Sequence, residues 1–308
     1  MKKARIIVPA YNEEKNISLF YDEVIKYLSN DNYEFDILYI NDGSKDNTLD
    51  EIKKLSKKDK RVNYISLSRN FGKEAAMHSG LVNSQDKDFV IIIDCDLQQP
   101  PSLIPEMIKY HEEGYKIVFT KGKGRKNEPK LRAFLANWFY RIYNAYTEMP
   151  LENGTKDYQL IDRDVVQAFL KMKDNYRFIK GMFSWVGFPR KCIEYDFIQR
   201  QHGKGTWSFR SLMKYAFNGM NQFSTILLIL PVLTIFFSIL LVAMNIVLFK
   251  VEVFNTPELI LGLQTSLILF VIGVMSYVII YLLYQNRKQV LNRPIYLIHE
   301  TSEGLNVE

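Results

Sequence analysis

The chain has 308 residues, 47% hydrophobic and 24% charged, and its 40 Lys and Arg against 34 Asp and Glu leave a formal charge of +6. That length suits one substantial domain plus an additional segment. The two cysteines, Cys95 and Cys192, lie far apart and match no metal-ligand spacing, which argues against a disulfide framework or zinc cluster and fits reduced thiols in the cytosol.

The opening stretch, MKKARIIVPA, runs straight into a strand-like segment without a signal-peptide pattern, so the first part of the chain is expected in the cytoplasm. Residues 5–9 form a short β-branched run that ends in a loop over 10–14. Residues 16–29 have helical spacing. A second strand over 35–40 closes in NDGSKDNT (41–48), and a charged helix follows over 49–58. A third strand over 62–67 leads into SRNFGKEAAMHSGL (68–81), a loop entering a helix, and a fourth strand covers 89–93. Strands alternating with helices predict a doubly wound α/β sheet, whose ligands sit at the carboxyl ends of the strands. Four successive strand ends carry polar, turn-forming clusters: PAYNEE, NDGSKDN, SRNFGKE and DCDLQ.

Further along, residues 121–146 open with basic residues and glycines and continue as a helix rich in Phe, Trp and Tyr. Trp138, Phe139, Tyr140 and Tyr143 suit the headgroup level of a bilayer, and Arg125, Lys130 and Arg132 suit a lipid phosphate. This interfacial reading is preferred to a plain structural helix and to nucleic-acid binding. Residues 208–224 are expected along the same interface. No charged residue occurs over 226–249 or 259–286. Each run exceeds the roughly 20 residues that cross a bilayer core and lacks a polar face. They predict a transmembrane hairpin, and its basic flanks place both ends in the cytoplasm. The organisation expected is a cytoplasmic domain (1–208), an interfacial helix (209–224), a hairpin (225–286, spans about 226–249 and 259–284) and a cytoplasmic tail (287–308).

No GxGxxG or GxxxxGK[ST] is present, which weakens dinucleotide and P-loop readings. Asp94 and Asp96 would share one side of an extended chain, because strand periodicity is two. Two such carboxylates suit a hard divalent cation that also holds substrate phosphates, and the Gln98 carbonyl lies two residues on. His78, His111 and His299 fit no triad or metal constellation, and His202 reads as a loop residue.

VPAYNEE (8–14), NDGSKDNT (41–48), SRNFGKEAA (68–76) and the DCDLQ-PP pattern (94–101) together resemble the GT-A inverting glycosyltransferases that act on polyprenyl phosphates, such as dolichyl-phosphate mannose synthases and bactoprenol glucosyltransferases. The resemblance extends through KDYQLIDR (156–163) and RFIKGMFSWVGF (177–188), and the hairpin is similar to the bactoprenol branch. It implies a GT-A, Rossmann-like mixed α/β sheet. It implies that Pro9, Tyr11, Glu13, Asp42, Lys73 and Asp94 line the nucleotide pocket, with Asp42 facing the base. Asp94, Asp96 and Gln98 would hold Mg²⁺ or Mn²⁺ against the diphosphate. Pro100 and Pro101 would stop the strand and start the next helix. Asp157 holds the family's candidate base position, and Arg200 would meet a phosphate. Three departures stand out. Cys95 replaces the usual Ala between the aspartates, Gln159 replaces an Arg, and Thr206 replaces a Lys that Lys204 could supply as an acceptor-phosphate contact.

The activity implied is transfer of a monosaccharide from a nucleotide diphosphate sugar to undecaprenyl phosphate, with inversion. UDP-glucose or UDP-N-acetylglucosamine fits the bactoprenol branch, and GDP-mannose is the alternative donor. A polysaccharide synthase and a non-catalytic membrane scaffold are the other readings. The first lacks its Gln-x-x-Arg-Trp motif and further spans here; the second would have lost Asp94 and Asp96. Expected partners are the donor, the polyprenyl phosphate, the lipid bilayer and, by analogy with relatives, further copies of the chain in a tetramer. No nucleic acid is expected. The expected location is the cell membrane, as a multi-pass protein whose product serves the cell wall.

Overall fold

The computed structural model describes residues 1–29, 32–123, 154–172, 179–196, 229–250, 257–291 and 293–302, with Leu305 and isolated residues between 138 and 147. Strands β1 (Lys2–Ala10), β2 (Tyr33–Asn41), β3 (Val62–Leu67) and β4 (Phe89–Ile92) pair in parallel in the order β3-β2-β1-β4. Strand β6 (Thr155–Asp162) runs antiparallel to β4 and to β5 (Ile117–Lys123), which pairs in parallel with β7 (Arg190–Asp196). The full order is β7-β5-β6-β4-β1-β2-β3-β8, with β8 (Ile298–Thr301) antiparallel on the far edge.

The parallel strands are apolar almost throughout because both faces are covered. Ile6, Val8, Ile37, Tyr39 and Ile91 feed one buried cluster, and their neighbours Ile7, Leu38, Ile40, Val90 and Ile92 feed the other. The first cluster takes in α1 (Ile17–Val24), α2 (Thr48–Lys58) and α4 (Ile104–Glu112). The second takes in α3 (Lys73–Val82), α5 (Arg163–Leu170) and α6 (Ile179–Trp185). Helix α3 lies so close to β1 that a methyl group at Gly80 would overlap the Ile7 side chain. The expected mixed α/β sheet is therefore present. The helix expected over 16–29 is α1 plus a 3-10 turn, Ile25–Tyr27.

Two helices, α7 (Ile229–Lys250) and α8 (Pro257–Val290), pack on each other after β7. They present large apolar side chains outward, among them Phe236, Phe237, Leu269, Phe270 and Ile280, each more than half exposed. Among the described residues, one stretch is long and apolar enough to cross a membrane, Leu263–Tyr284 in α8. That stretch falls on the span expected over 259–284; the span expected over 226–249 falls on α7, which is helical but does not meet that test over its described residues.

The tail expected over 287–308 begins inside α8, which runs to Val290. It returns to the sheet as β8, which pairs with β3.

Candidate functional site

The polar strand ends meet at one edge of the sheet. After β1, Asn12 takes a left-handed conformation (φ 55°) and its amide donates to Ser44 Oγ at 3.0 Å. Its own side-chain oxygen accepts from the Lys45 amide at 2.9 Å. The Glu13 amide donates to Thr48 Oγ1 at 2.8 Å and the Asn47 amide to a Glu14 carboxylate oxygen at 3.1 Å. The loops after β1 and β2 are thus tied side by side. Gly43 (φ 61°) completes the second; a Cβ there would meet Arg69 Cα at 2.6 Å, so only glycine lets the 41–48 turn approach the 68–72 loop.

Asp42 closes that approach. Its two carboxylate oxygens accept the amide protons of Phe71 at 2.7 Å and Gly72 at 2.9 Å. Burial raises its pKa, and these amides and Arg69 oppose the rise. Asp42 therefore pins the 68–72 loop. Pro9 is a buried residue of β1 in register with Ile40, and Tyr11 and Glu13 lie in the partly exposed loop beyond it.

The charged centre sits where β4 and β6 open. Lys73, the first residue of α3, places its ammonium 2.6 Å from one Asp94 oxygen and 2.7 Å from Asp157 Oδ2. Lys180, on α6, reaches Asp157 Oδ1 at 3.4 Å and donates to the Thr155 carbonyl at 3.1 Å. Strand β6 runs antiparallel, so its opening residues lie at the carboxyl edge of β4. Burial alone would raise the Asp157 pKa, but Lys180 and Lys73 outweigh it and hold the carboxyl well below its usual range. Burial would likewise lower Lys73, and Asp157 and Asp94 lift it above its usual range instead. A carboxylate so held is a weak base; what it does well is hold two cations in place. The side chains of Lys73, Asp94 and Asp157 keep 19–25% of their surface open, so a ligand can still reach them.

Two sequence expectations need correction here. Asp94 and Asp96 are not on an extended strand, because β4 ends at Ile92 and Cys95–Asp96 turn, with Leu97 at φ 56°. The prolines do not stop the strand either. That turn does, and Pro101 opens a 3-10 turn, Pro101–Leu103, ahead of α4. Cys95 is buried in the core beneath the aspartates. The Gln98 amide donates to Asp96 Oδ1 at 3.1 Å.

Sequence reading missed Gln99 and Lys180. Gln99 is buried, and its amide group bonds Asp94 twice, donating to Oδ2 at 3.1 Å and accepting from the backbone amide at 3.3 Å. The glutamine beside Pro100 was the available signal for Gln99. Lys180 lay in a quoted motif without a role. Among the described residues no three His, Cys, Asp or Glu side chains converge as a metal cluster. Asp94 and Asp96 would offer a divalent cation two hard oxygen ligands, with phosphate oxygens and water to complete its shell. Arg125, Lys130, Arg132, Arg200 and Lys204 lie outside the described residues, as do 208–224.

The model of the family "Glycosyl transferase family 2" matches residues 5–173, a span that includes Asp42, Lys73, Asp94, Asp96 and Asp157. The chain is 37% identical to CsbB of Bacillus subtilis over 306 residues, which cover 96% of this chain and 91% of that protein. It is 36% identical over 223 residues to the bactoprenol glucosyl transferase of Shigella phage SfV, covering 72% of each. Among solved structures, the mannosyltransferase PcManGT of Pyrobaculum calidifontis, in complex with GDP-Man and Mn²⁺, aligns with a TM-score of 0.51 at 14% identity. That alignment covers 71% of this chain and 63% of the other.

Proposed function

This chain is a member of glycosyl transferase family 2, and from that premise we propose that it moves one monosaccharide from a nucleotide diphosphate sugar to a polyprenyl phosphate. UDP-glucose or UDP-N-acetylglucosamine is the proposed donor and undecaprenyl phosphate the acceptor. The product is a lipid-linked sugar for the cell envelope. The observation that carries the reading is the Lys73–Asp94–Asp157 cluster at the carboxyl edge of the sheet, inside the matched span. Bactoprenol glucosyl transferases among the relatives support the lipid acceptor.

The step is a single displacement with inversion. An acceptor phosphate oxygen attacks the anomeric carbon, and the bond to the departing diphosphate breaks. The second pKa of a phosphate monoester lies near 6, so the nucleophile is largely a dianion at neutral pH and needs little deprotonation. Asp157 therefore serves as the holder of Lys73 and Lys180 rather than as a base. Lys73 is placed to take the negative charge that grows on the diphosphate. Mg²⁺ or Mn²⁺ held by Asp94, Asp96 and Gln98 would supply further charge stabilisation there, as the Mn²⁺ in the structural neighbour supports. Arg125, Lys130, Arg132, Arg200 and Lys204 remain the proposed phosphate contacts.

We read α7 and α8 as a membrane hairpin that brings the lipid acceptor to a cytoplasmic domain. The return of the chain to the sheet at β8 supports this, since it keeps both ends of the helix pair on the side of the catalytic domain.

The test is transfer from radiolabelled UDP-glucose, UDP-N-acetylglucosamine and GDP-mannose to undecaprenyl phosphate in membranes, with Mg²⁺, Mn²⁺ or EDTA. One labelled, mild-acid-labile lipid that EDTA suppresses is the expected result, and its donor names the sugar. No lipid product from any donor would overturn the reading.

A further inference from the structure

The stretch after α8 lies along the open edge of β3. Ile298 stands opposite Leu67, Glu300 opposite Ser66 and Thr301 opposite Ile65, with a register shift between Ser66 and Leu67. The Ser302 amide donates to the Tyr64 carbonyl at 2.9 Å, and the Glu300 carboxylate meets Lys53 of α2 at 2.8 Å. An edge strand that merely finished the sheet would stop at the end of β3. This one bonds past it: the Leu297 carbonyl accepts from the Ser68 amide at 2.9 Å. Tyr296 and Phe71 are both partly buried and pack against the same core cluster, and the Tyr296 ring lies 5.9 Å from that of His78 on α3.

These contacts grip the 68–72 loop at its first residue. The other end of the loop is gripped by Asp42, through the amides of Phe71 and Gly72. The next residue is Lys73, which the loop delivers to Asp94 and Asp157. A second route reaches the same place. Ser66, opposite Glu300, accepts through Oγ from Asn41 Nδ2 at 2.9 Å, and Asn41 precedes Asp42.

We propose that residues 296–302 are a positioning element of the donor pocket, which sets the 68–72 loop and, through it, Asp42 and Lys73. The segment begins six residues beyond Val290, the end of α8, so it also ties that pocket to the long apolar helix. The inference rests on reading the pocket as the nucleotide-sugar site.

The test uses the full chain and a chain lacking residues 292–308, both in membranes. Truncation is expected to raise the donor KM about tenfold, leave the acceptor KM unchanged and speed amide exchange at Phe71 and Gly72. Unchanged donor KM and unchanged exchange at those two amides, in truncated protein that melts like the full chain, would overturn the proposal. Should the truncated chain not fold, the Lys53–Glu300 pair decides. Glu300→Lys is expected to raise the donor KM about threefold and to loosen the same amides, and Lys53→Glu with Glu300→Lys to restore both. No effect of the single change, or no restoration by the pair, overturns it. Absence of sugar transfer by the unaltered chain would defeat the transfer reading alone, because exchange at Phe71 and Gly72 still reports on the clasp.

Discussion

Asp157 faces two ammonium groups at once, which separates two roles a carboxylate could have in sugar transfer. A general base must accept a proton, and its rate profile falls as pH drops through its pKa. A carboxylate held well below its usual range by Lys180 and Lys73 shows no such inflection above about pH 4. Asp157→Asn is therefore expected to cut turnover about 100-fold by removing one of the two carboxylates that hold Lys73 and the one that holds Lys180, while the wild-type pH–rate profile carries no acid limb from this residue. A wild-type profile with a limb between pH 4 and 7 that Asp157→Asn abolishes would restore the base assignment. Asp42, Lys73 and Asp94 stand in polar clusters that follow strands, a local cue in the sequence, whereas Asp157 stands out only through the family resemblance. Lys180 and Gln99 were not legible there. Lys180 matters only because α6 is folded next to a strand 23 residues earlier. Gln99 and Gln98 are told apart only by a turn in which Leu97 takes a left-handed conformation, and no periodicity announces that.

At the level of elements, the parallel core was readable from continuous apolar runs, and the antiparallel half was less so. Strand β6 reads as KDYQLID, where alternation is broken by charge, and it is fixed by the partners it finds. Its end, Asp162, joins three elements. It caps α5 by accepting from the Asp164 amide at 2.9 Å, and it meets His111 of α4 at 2.8 Å and Lys116 at 3.0 Å. Burial would raise its pKa, but His111, the Asp164 amide and Lys116 lower it to about 2. A carboxyl depressed in the folded state stabilises fully above its unfolded pKa near 3.9, and that stability is lost as pH falls toward the folded value. Asp162→Ala is expected to cost about 1–2 kcal/mol near neutral pH, and the gap to wild type to narrow between about pH 4 and 2. Thermal midpoints of both proteins at pH 7 and pH 3 measure it. An equal gap at both values would show that charge at Asp162 contributes nothing.

For the molecule as a whole, the placement of β8 constrains what lies between it and β7. Both strands belong to one sheet, so residues 196 and 298 are on the same side of any bilayer the chain enters. One crossing by α8, through Leu263–Tyr284, then requires a second crossing between β7 and α8, and α7 is the described helix in that interval. This return was hidden in the sequence: four strand residues follow a 34-residue helix and a proline, too short a run to stand out. The prediction is that Lys57 and His299, both exposed, face the same compartment. Single cysteines at these positions, Lys57→Cys and His299→Cys, would be placed in a chain with Cys95 and Cys192 changed to Ala. A membrane-impermeant maleimide is expected to label both in inside-out vesicles and neither in intact cells. Labelling of the His299→Cys chain alone in intact cells would place β8 across the bilayer from the catalytic sheet. The paired helices would then cross an odd number of times, and the pairing of β8 with β3 could not exist in the membrane-bound protein.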